Sequence, residues 1–181
     1  MVPEDKLNRF SANYAPVPDN MMLMDDPEKS GYRTPPQLES GGGGLVSTVG
    51  DYLKFAQMLL NRGEYEGKRY LGKKTVKFMT ANHMGSVSAN EGLTRLFNML
   101  GNGYQVQGMG FGVTGSVVLD PALSGLPLSK GVYSWGGAAS THFWIDNKED
   151  LIGIVHTQLL PDGTYPVREL MQLATYQAII D

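Results

Sequence analysis

The stretch that decides the fold is Gly131-Val-Tyr-Ser-Trp-Gly-Gly-Ala-Ala-Ser-Thr-His-Phe-Trp-Ile-Asp146, continued through Asn147-Lys148-Glu149-Asp150 into Leu151-Ile-Gly-Ile-Val-His-Thr-Gln158. Both arms are rich in β-branched and aromatic residues, and the polar run between them has the length and composition of a connecting loop. The stretch therefore reads as a hairpin, 131–146 against 151–158. With the first arm as one strand, Val132, Ser134, Gly136, Ala138, Ser140, His142 and Trp144 share one face, and Tyr133, Trp135, Gly137, Ala139, Thr141, Phe143 and Ile145 share the other. Glycine inside a strand weakens it and leaves nothing to pack. Gly136-Gly137-Ala138 therefore needs a reason: a bulge or strand crossing, or a place where a substrate lies along the strand edge. Both readings stay open.

The totals bound the rest. A chain of 181 residues fits one domain with an adequate core. The hydrophobic fraction of 41% comes without any long apolar run, so no membrane span is expected. A formal charge of −3, with no basic patch, excludes nucleic acid as an expected partner. The absence of cysteine removes disulfides, thiolate metal sites and a cysteine nucleophile. The N-terminus has no apolar core of the kind a secretory signal needs, which places the chain as written in the cytoplasm.

Residues 1–40 carry six prolines and little periodicity, and are expected to run as an extended segment over another surface. Residues 41–103 read as mainly helical. Ser47 or Thr48 caps a helix, with Asp51, three residues after Thr48, as a capping-box partner; Tyr52, Phe55, Ala56, Leu59 and Leu60 form its apolar face, and Gly63 ends it. A second helix is expected over Lys73 to Asn82, Arg69-Tyr70-Leu71 before it reads as a strand or a turn, and 91–103 has mixed signals. In 104–181, Tyr104 to Leu119 reads as a strand and Asp120 to Lys130 as a loop. The hairpin follows, and then a helix from about Pro166 whose inward face is Leu170, Leu173, Ala174, Gln177 and Ile180. The order points to an α+β fold, an antiparallel sheet flanked by helices.

Most chemical motifs fail on context. Gly110-Phe-Gly-Val-Thr-Gly115 has the letters of a dinucleotide fingerprint but sits in a strand-like segment that opens no helix. Gly41 to Thr48 precedes a helix N-terminus but has no phosphate-loop lysine. His83, His142 and His156, the three histidines, form no short-spaced metal motif. His142 is the one of interest, five residues after the glycine pair. No Ser-x-x-Lys, Tyr-x-Asn or Gly-x-Ser-x-Gly occurs.

In combination, Ser40-Gly-Gly-Gly-Gly-Leu-Val-Ser-Thr-Val-Gly-Asp-Tyr-Leu-Lys-Phe-Ala-Gln-Met-Leu-Leu60, Gly108-Met-Gly-Phe-Gly112 and Tyr133-Ser-Trp-Gly-Gly137 resemble the C-terminal half of the serine β-lactamase-like family. That family spans class C β-lactamases, penicillin-binding-protein-like carboxypeptidases and carboxylesterases, and the esterase branch is the nearer. The resemblance implies a β-lactamase/transpeptidase-like sheet, acyl-enzyme chemistry on a small ester or amide substrate, and no cofactor or metal. It puts Trp135-Gly136-Gly137 in the place of the family's Lys-Thr-Gly triplet, lining the substrate, and makes the Ala138 N–H an oxyanion donor. Tryptophan in place of lysine removes a carboxylate-holding cation and suits an apolar acyl or alcohol group.

The family's Ser-x-x-Lys and Tyr-x-Asn motifs would lie upstream of Met1. The chain is accordingly expected to be the C-terminal part of a serine hydrolase, inactive alone, whose parent is cytoplasmic or periplasmic. The alternative is a non-catalytic fragment that binds acyl ligands or self-associates. With sheet edge and helix faces uncovered, a homo-oligomer or a missing N-terminal half is the expected partner.

Overall fold

In a computed structural model that describes residues 1–85 and 107–180, the proline-rich opening is more than an extended strap. A 3-10 turn over Glu4–Arg9 leads into a hairpin of β1 (Asn13–Val17) and β2 (Asn20–Asp25), reversed by Pro18-Asp19 with Asp19 at φ 61. On its other side β1 is bridged at Tyr14 alone, to Leu159, which leaves Pro16 with no ladder bond to give there. Met21, Met22, Leu23 and Met24 all remain exposed, on both faces of β2.

Helix α1 (Val49–Leu60) starts as its sequence requires. The Thr48 hydroxyl accepts the Asp51 N–H at 3.1 Å and donates to the Asp51 carboxylate at 3.0 Å, a cap of about 1 kcal/mol. Gly63, at φ 98, closes the helix by donating to the Met58 carbonyl at 2.7 Å; a side chain there would strike the Leu71 backbone. The buried line is Ala56, Met58 and Leu59, with Tyr52 and Leu60 beside it. Phe55, expected inward, is exposed, because α1 packs across the sheet along the Tyr52–Ala56–Leu59 line.

The ambiguous 69–71 stretch belongs to a tight hairpin, β3 (Glu64–Tyr65) with β4 (Lys68–Arg69), turned by Glu66 and Gly67 in the left-handed region. Helix α2 follows, shorter than expected at Lys73–Met79, with Val76 buried. The mixed signals over 91–103 lie outside the described residues.

Of the strand expected over 104–119, residues 104–106 lie outside the described residues, and the remainder holds two strands, β5 (Met109–Phe111) and β6 (Ser116–Val118). The chain reverses at Gly112–Gly115, where the Gly112 N–H donates to the Gly115 carbonyl at 2.7 Å and the Met79 carbonyl lies too close for any side chain on Gly112. Within the expected loop, α3 (Pro121–Ser124) is a single turn capped by Asp120 and ended by Gly125 at φ 69.

The first arm of the central hairpin is likewise two strands. β7 (Tyr133–Gly137) and β8 (Thr141–Asp146) reverse at Ala138-Ala139-Ser140, with Ser140 at φ 57, and β9 (Leu151–Val155) follows. The five strands form one antiparallel sheet in the order β5-β6-β7-β8-β9. Because Gly137 pairs with Thr141, four residues on, the extra reversal leaves the facing of the paired residues unchanged. Tyr133, Trp135, Phe143 and Ile145 share one face; Ser134, Gly136, His142 and Trp144 share the other.

On the first face Val117, Tyr133, Phe143 and Ile145 close with Ala56, Met58 and Leu59 into the main core, and Tyr52 lies 5.1 Å from Phe143. The second face is covered in part by α4 (Val167–Gln177), where Val118, Leu128, Val132 and Trp144 cluster with Tyr176 at the rim. The Trp144 indole lies flat over Gly153, whose missing side chain makes the room.

The face of α4 differs from the amphipathic expectation. Gln172 is buried, while Leu170 and Ile180 are exposed at 59% and 92%. The reason lies on the sheet, where buried Asp146 accepts the Tyr176 hydroxyl at 2.7 Å and sets the rotation of the helix. No described helix is long and apolar enough to cross a membrane.

Candidate functional site at the end of β7

β6 pairs with β7 only through Val117–Tyr133 and Ser116–Ser134. Trp135, Gly136 and Gly137 run past the end of β6, so among the described residues this part of β7 has a strand on one side alone, β8. The four residues expected at the site, Trp135, Gly136, Gly137 and Ala138, all line one cavity of about 410 Å3, roofed by α4 and the 124–128 loop. Ser134, His142, Asp162, Arg168 and Gln172 complete its polar wall.

The glycines are explained by the protein's own side chains. A Cβ on Gly136 would sit 3.2 Å from the His142 Nδ1, and one on Gly137 would sit 2.5 Å from the Thr141 hydroxyl. Each glycine makes room for its cross-strand partner, one on each face of the sheet. Trp135 packs: half-buried, it meets Phe111 edge-on at 4.9 Å and rests against the main core.

The turn after Gly137 is held firmly. Ser140 N–H donates to the Gly137 carbonyl at 3.0 Å, Leu159 N–H to the Ala139 carbonyl at 3.1 Å, and the Ser140 hydroxyl to the Leu159 carbonyl at 2.8 Å. The Thr157 hydroxyl donates to the carbonyls of Ala139 and Ser140, at 3.2 and 2.9 Å. These bonds use the carbonyls of the turn. Its N–H groups at exposed Ala138 and at Ala139 have no hydrogen-bond partner among the described residues. Adjacent unspent N–H donors on a fixed turn make an anion-binding concavity. Ala139 carried no signal in the sequence, since only the pinned turn gives its N–H significance.

Beneath Gly136 lies His142, buried and stacked on Trp144 at 6.0 Å. Burial, reinforced by the Arg168 charge and opposed weakly by the Trp135 backbone, lowers its pKa to about 3. At neutral pH it is an uncharged imidazole, able to donate one hydrogen bond and accept one. Among the described residues, neither ring nitrogen meets a partner of full hydrogen-bond geometry, nor does the Gln172 Oε1 in the same cavity. Nearby, the Ser116 and Ser134 hydroxyls bond at 2.8 Å, and Arg168 pairs with Glu169 at 2.5 Å. His83 and His156 stand apart: the first is exposed and bonds the Phe78 carbonyl at 2.8 Å, and the second packs edge-on against Tyr52. No group of acidic, histidine or cysteine side chains among the described residues is arranged to hold a metal ion.

Asp146, buried at 1% exposure, was read from sequence only as a strand end. Burial pushes its pKa up, but hydrogen bonds from Tyr176, Ser129 and the Lys148 and Glu149 backbone outweigh it and hold the carboxyl below its usual range. It stays ionised and ties the β8–β9 turn to α4. The Asp-x-Lys-Glu spacing of an Asx turn was the available signal.

Comparison with known proteins gives the family and the fold. A family model described as Beta-lactamase matches residues 2–177. Two curated proteins of Mycobacterium tuberculosis, the uncharacterized protein MT1414 and protein Rv1367c, are each 38% identical over 132 residues, 71% of this chain. The chain spans 31% of the length of these relatives. Among solved structures, a LovD6 mutant of simvastatin synthase from Aspergillus terreus superposes with a TM-score of 0.75 at 24% identity, covering 96% of this chain and 44% of its own. EstCE1, a hydrolase with promiscuous acyltransferase activity, superposes at 0.66 and 23% identity, over 91% of this chain and 42% of its own. These two show the shared fold. With the family match running through nearly every described residue, the chain belongs to the Beta-lactamase family.

Proposed function

We propose that this chain is the C-terminal part of a serine hydrolase of the carboxylesterase kind, working through an acyl-enzyme, with the Ala138 N–H as one donor of its oxyanion hole. The observation that carries the reading is the pinned turn at the end of β7: the Ala139 and Ser140 carbonyls are bonded inward, while the exposed Ala138 N–H has no partner among the described residues. A donor fixed before reaction loses little in reorganisation when negative charge develops on a carbonyl oxygen.

The nucleophilic serine and its base lie on polypeptide outside residues 1–181, and the serine's own N–H supplies the second donor. Attack by the serine oxygen moves the carbonyl π electrons onto oxygen, and collapse expels the alcohol with a proton from the base. Water then repeats the sequence and releases the acid. Trp135, Gly136 and Gly137 line the edge along which the substrate lies, and the Met109, Leu126 and Leu128 walls suit an apolar acyl or alcohol group. The reading calls for no cofactor.

The test uses p-nitrophenyl butyrate and a fluorophosphonate probe read by intact mass. Residues 1–181 alone should give neither turnover nor adduct. Combined with the upstream half of a full-length family member, they should turn over. There Ala138→Pro, which deletes the N–H, should cut kcat by about 10²–10³-fold while Ala138→Gly retains activity. An adduct on the chain alone, or turnover that survives the proline, overturns the assignment. A second reading, retention of acyl ligands without reaction, is favoured by the Met109, Leu126 and Leu128 walls of the cavity. Ligand binding without turnover in the combined form would select it.

A further inference from the structure

On the α4 face of the sheet two glycines and two rings form a column that ends beneath the proposed oxyanion donor. Gly153 on β9 pairs with Trp144 on β8, and the Trp144 indole lies over the glycine in the space a side chain would fill. His142, two residues before Trp144 and on the same face, stacks on the indole with ring centroids 6.0 Å apart and planes inclined at 27°. Its Nδ1 reaches under Gly136, its partner on β7, to 3.2 Å from where a Cβ would stand. Glycine at each end lets a flat ring rest directly on a strand backbone.

Both rings are buried. In an interior packed without voids, a ring cannot shift without moving its neighbours. At β7 the neighbour is main chain, because Gly136 has no side chain to absorb the shift. The opposite face gives β7 a second seat, where the Thr141 hydroxyl takes the place of a Cβ on Gly137. Ala138 follows directly, ahead of the carbonyls that Thr157 and Leu159 pin.

We propose that His142 is a positioning residue of this site: as the last ring of the column it sets the height of Gly136 and, through Gly137, the aim of the Ala138 N–H. The proposal rests on the reading of that N–H as an oxyanion donor. The imidazole contributes thickness and flatness rather than proton transfer. Burial lowers its pKa to about 3, so it neither gains nor loses a proton near neutral pH. An error of about 1 Å in placing a group at a reacting centre costs up to about 10²-fold in rate, so a small sag of β7 is measurable.

The test has two readouts, one of them independent of turnover. In residues 1–181, Trp144→Phe thins the column at the end remote from the site. The Ala138 cross-peak in an amide correlation NMR spectrum should move on Trp144→Phe and should stay in place when the same change is made in a His142→Ala background. In the form combined with the upstream half, His142→Ala should lower kcat about tenfold with KM changed less than about twofold, and Trp144→Phe should lower it about threefold. The double variant should be no slower than His142→Ala alone. His142→Phe, which puts back a flat ring, should recover kcat to within about threefold of the unmodified form.

A cross-peak unmoved by Trp144→Phe, kcat losses that multiply in the double variant, a loss carried by KM, or a His142→Phe variant as slow as His142→Ala each overturns the proposal. If the unmodified combined form does not turn over, it is the hydrolase reading that fails, and the cross-peak alone decides whether His142 carries position to Ala138. Circular dichroism checks that each variant is folded. Gly153→Ala, which presses the indole from the same end, replaces Trp144→Phe should that variant fail to fold.

Discussion

The two faces of the sheet are made from alternate residues of the same strands, yet they are stabilised differently. On the α1 face Tyr133, Phe143 and Ile145 meet Ala56, Met58 and Leu59, and burial of apolar surface does the work. On the α4 face Ser134, His142, Asp146 and Gln172 are buried polar groups, and each requires a partner. Asp146 has several; His142 and the Gln172 carbonyl have none of full geometry among the described residues. Unspent hydrogen-bonding capacity thus gathers beside the end of β7, on the face where packing is least complete. A dry face holds the strands in register, and a polar face leaves them something to bind with.

Three measurements break or sharpen this contrast. The largest effect belongs to the dry face: Phe143→Ala, which empties the centre of the main core, should lower the unfolding free energy by about 3–5 kcal/mol in urea titration. A loss below about 1 kcal/mol would mean that this face is not the main support. On the polar face Asp146→Ala should cost about 2–3 kcal/mol, since the Tyr176 hydroxyl and two backbone N–H groups lose their acceptor. Tyr176→Phe should recover a good part of that loss in the double variant, because the hydroxyl that lost its acceptor is then gone. Strict additivity of the two changes would show that they do not act together.

Near neutral pH the smallest effect is a slope with pH, which grows on acidification. Unfolded, the His142 imidazole takes a proton near 6.5; folded, it takes one only near pH 3. Between those values the unfolded chain binds more protons, so His142 leaves stability intact above about pH 6.5 and erodes it on acidification. The erosion reaches at most about 1.4 kcal/mol per pH unit. His142→Leu should flatten the slope between pH 6 and 4 relative to the unmodified chain. Unchanged slopes would show that His142 is not held neutral; His156, whose pKa burial also lowers, adds a component common to both proteins.

Much of this architecture can be read from local sequence. The Thr48–Asp51 cap, the closing Gly63, the β8–β9 reversal over Asn147–Asp150 and the α4 start after Pro166 depend on contacts within a few residues. Misplaced glycines and motif order single out Trp135–Ala138 in the sequence, and these four residues line one cavity, which is where the proposed site lies. The reversal at 138–140 was not legible. Ala-Ala-Ser carries no turn signature, and the bonds that hold it come from Thr157 and Leu159, about twenty residues away. The facing of α4 was hidden for the same reason, because a buried carboxylate on another element outbids the apolar stripe of the helix.

By itself the sequence determined the α+β class, the alternation of facing along 133–145 and the family, because side-chain period, capping and motif order are local properties that survive an unforeseen turn. The tertiary structure alone decided that Gly136 shelters His142, that Asp146 rotates α4, and that the N–H groups of Ala138 and Ala139 find no partner among the described residues. Each of these depends on which distant groups meet, and no local pattern encodes that meeting.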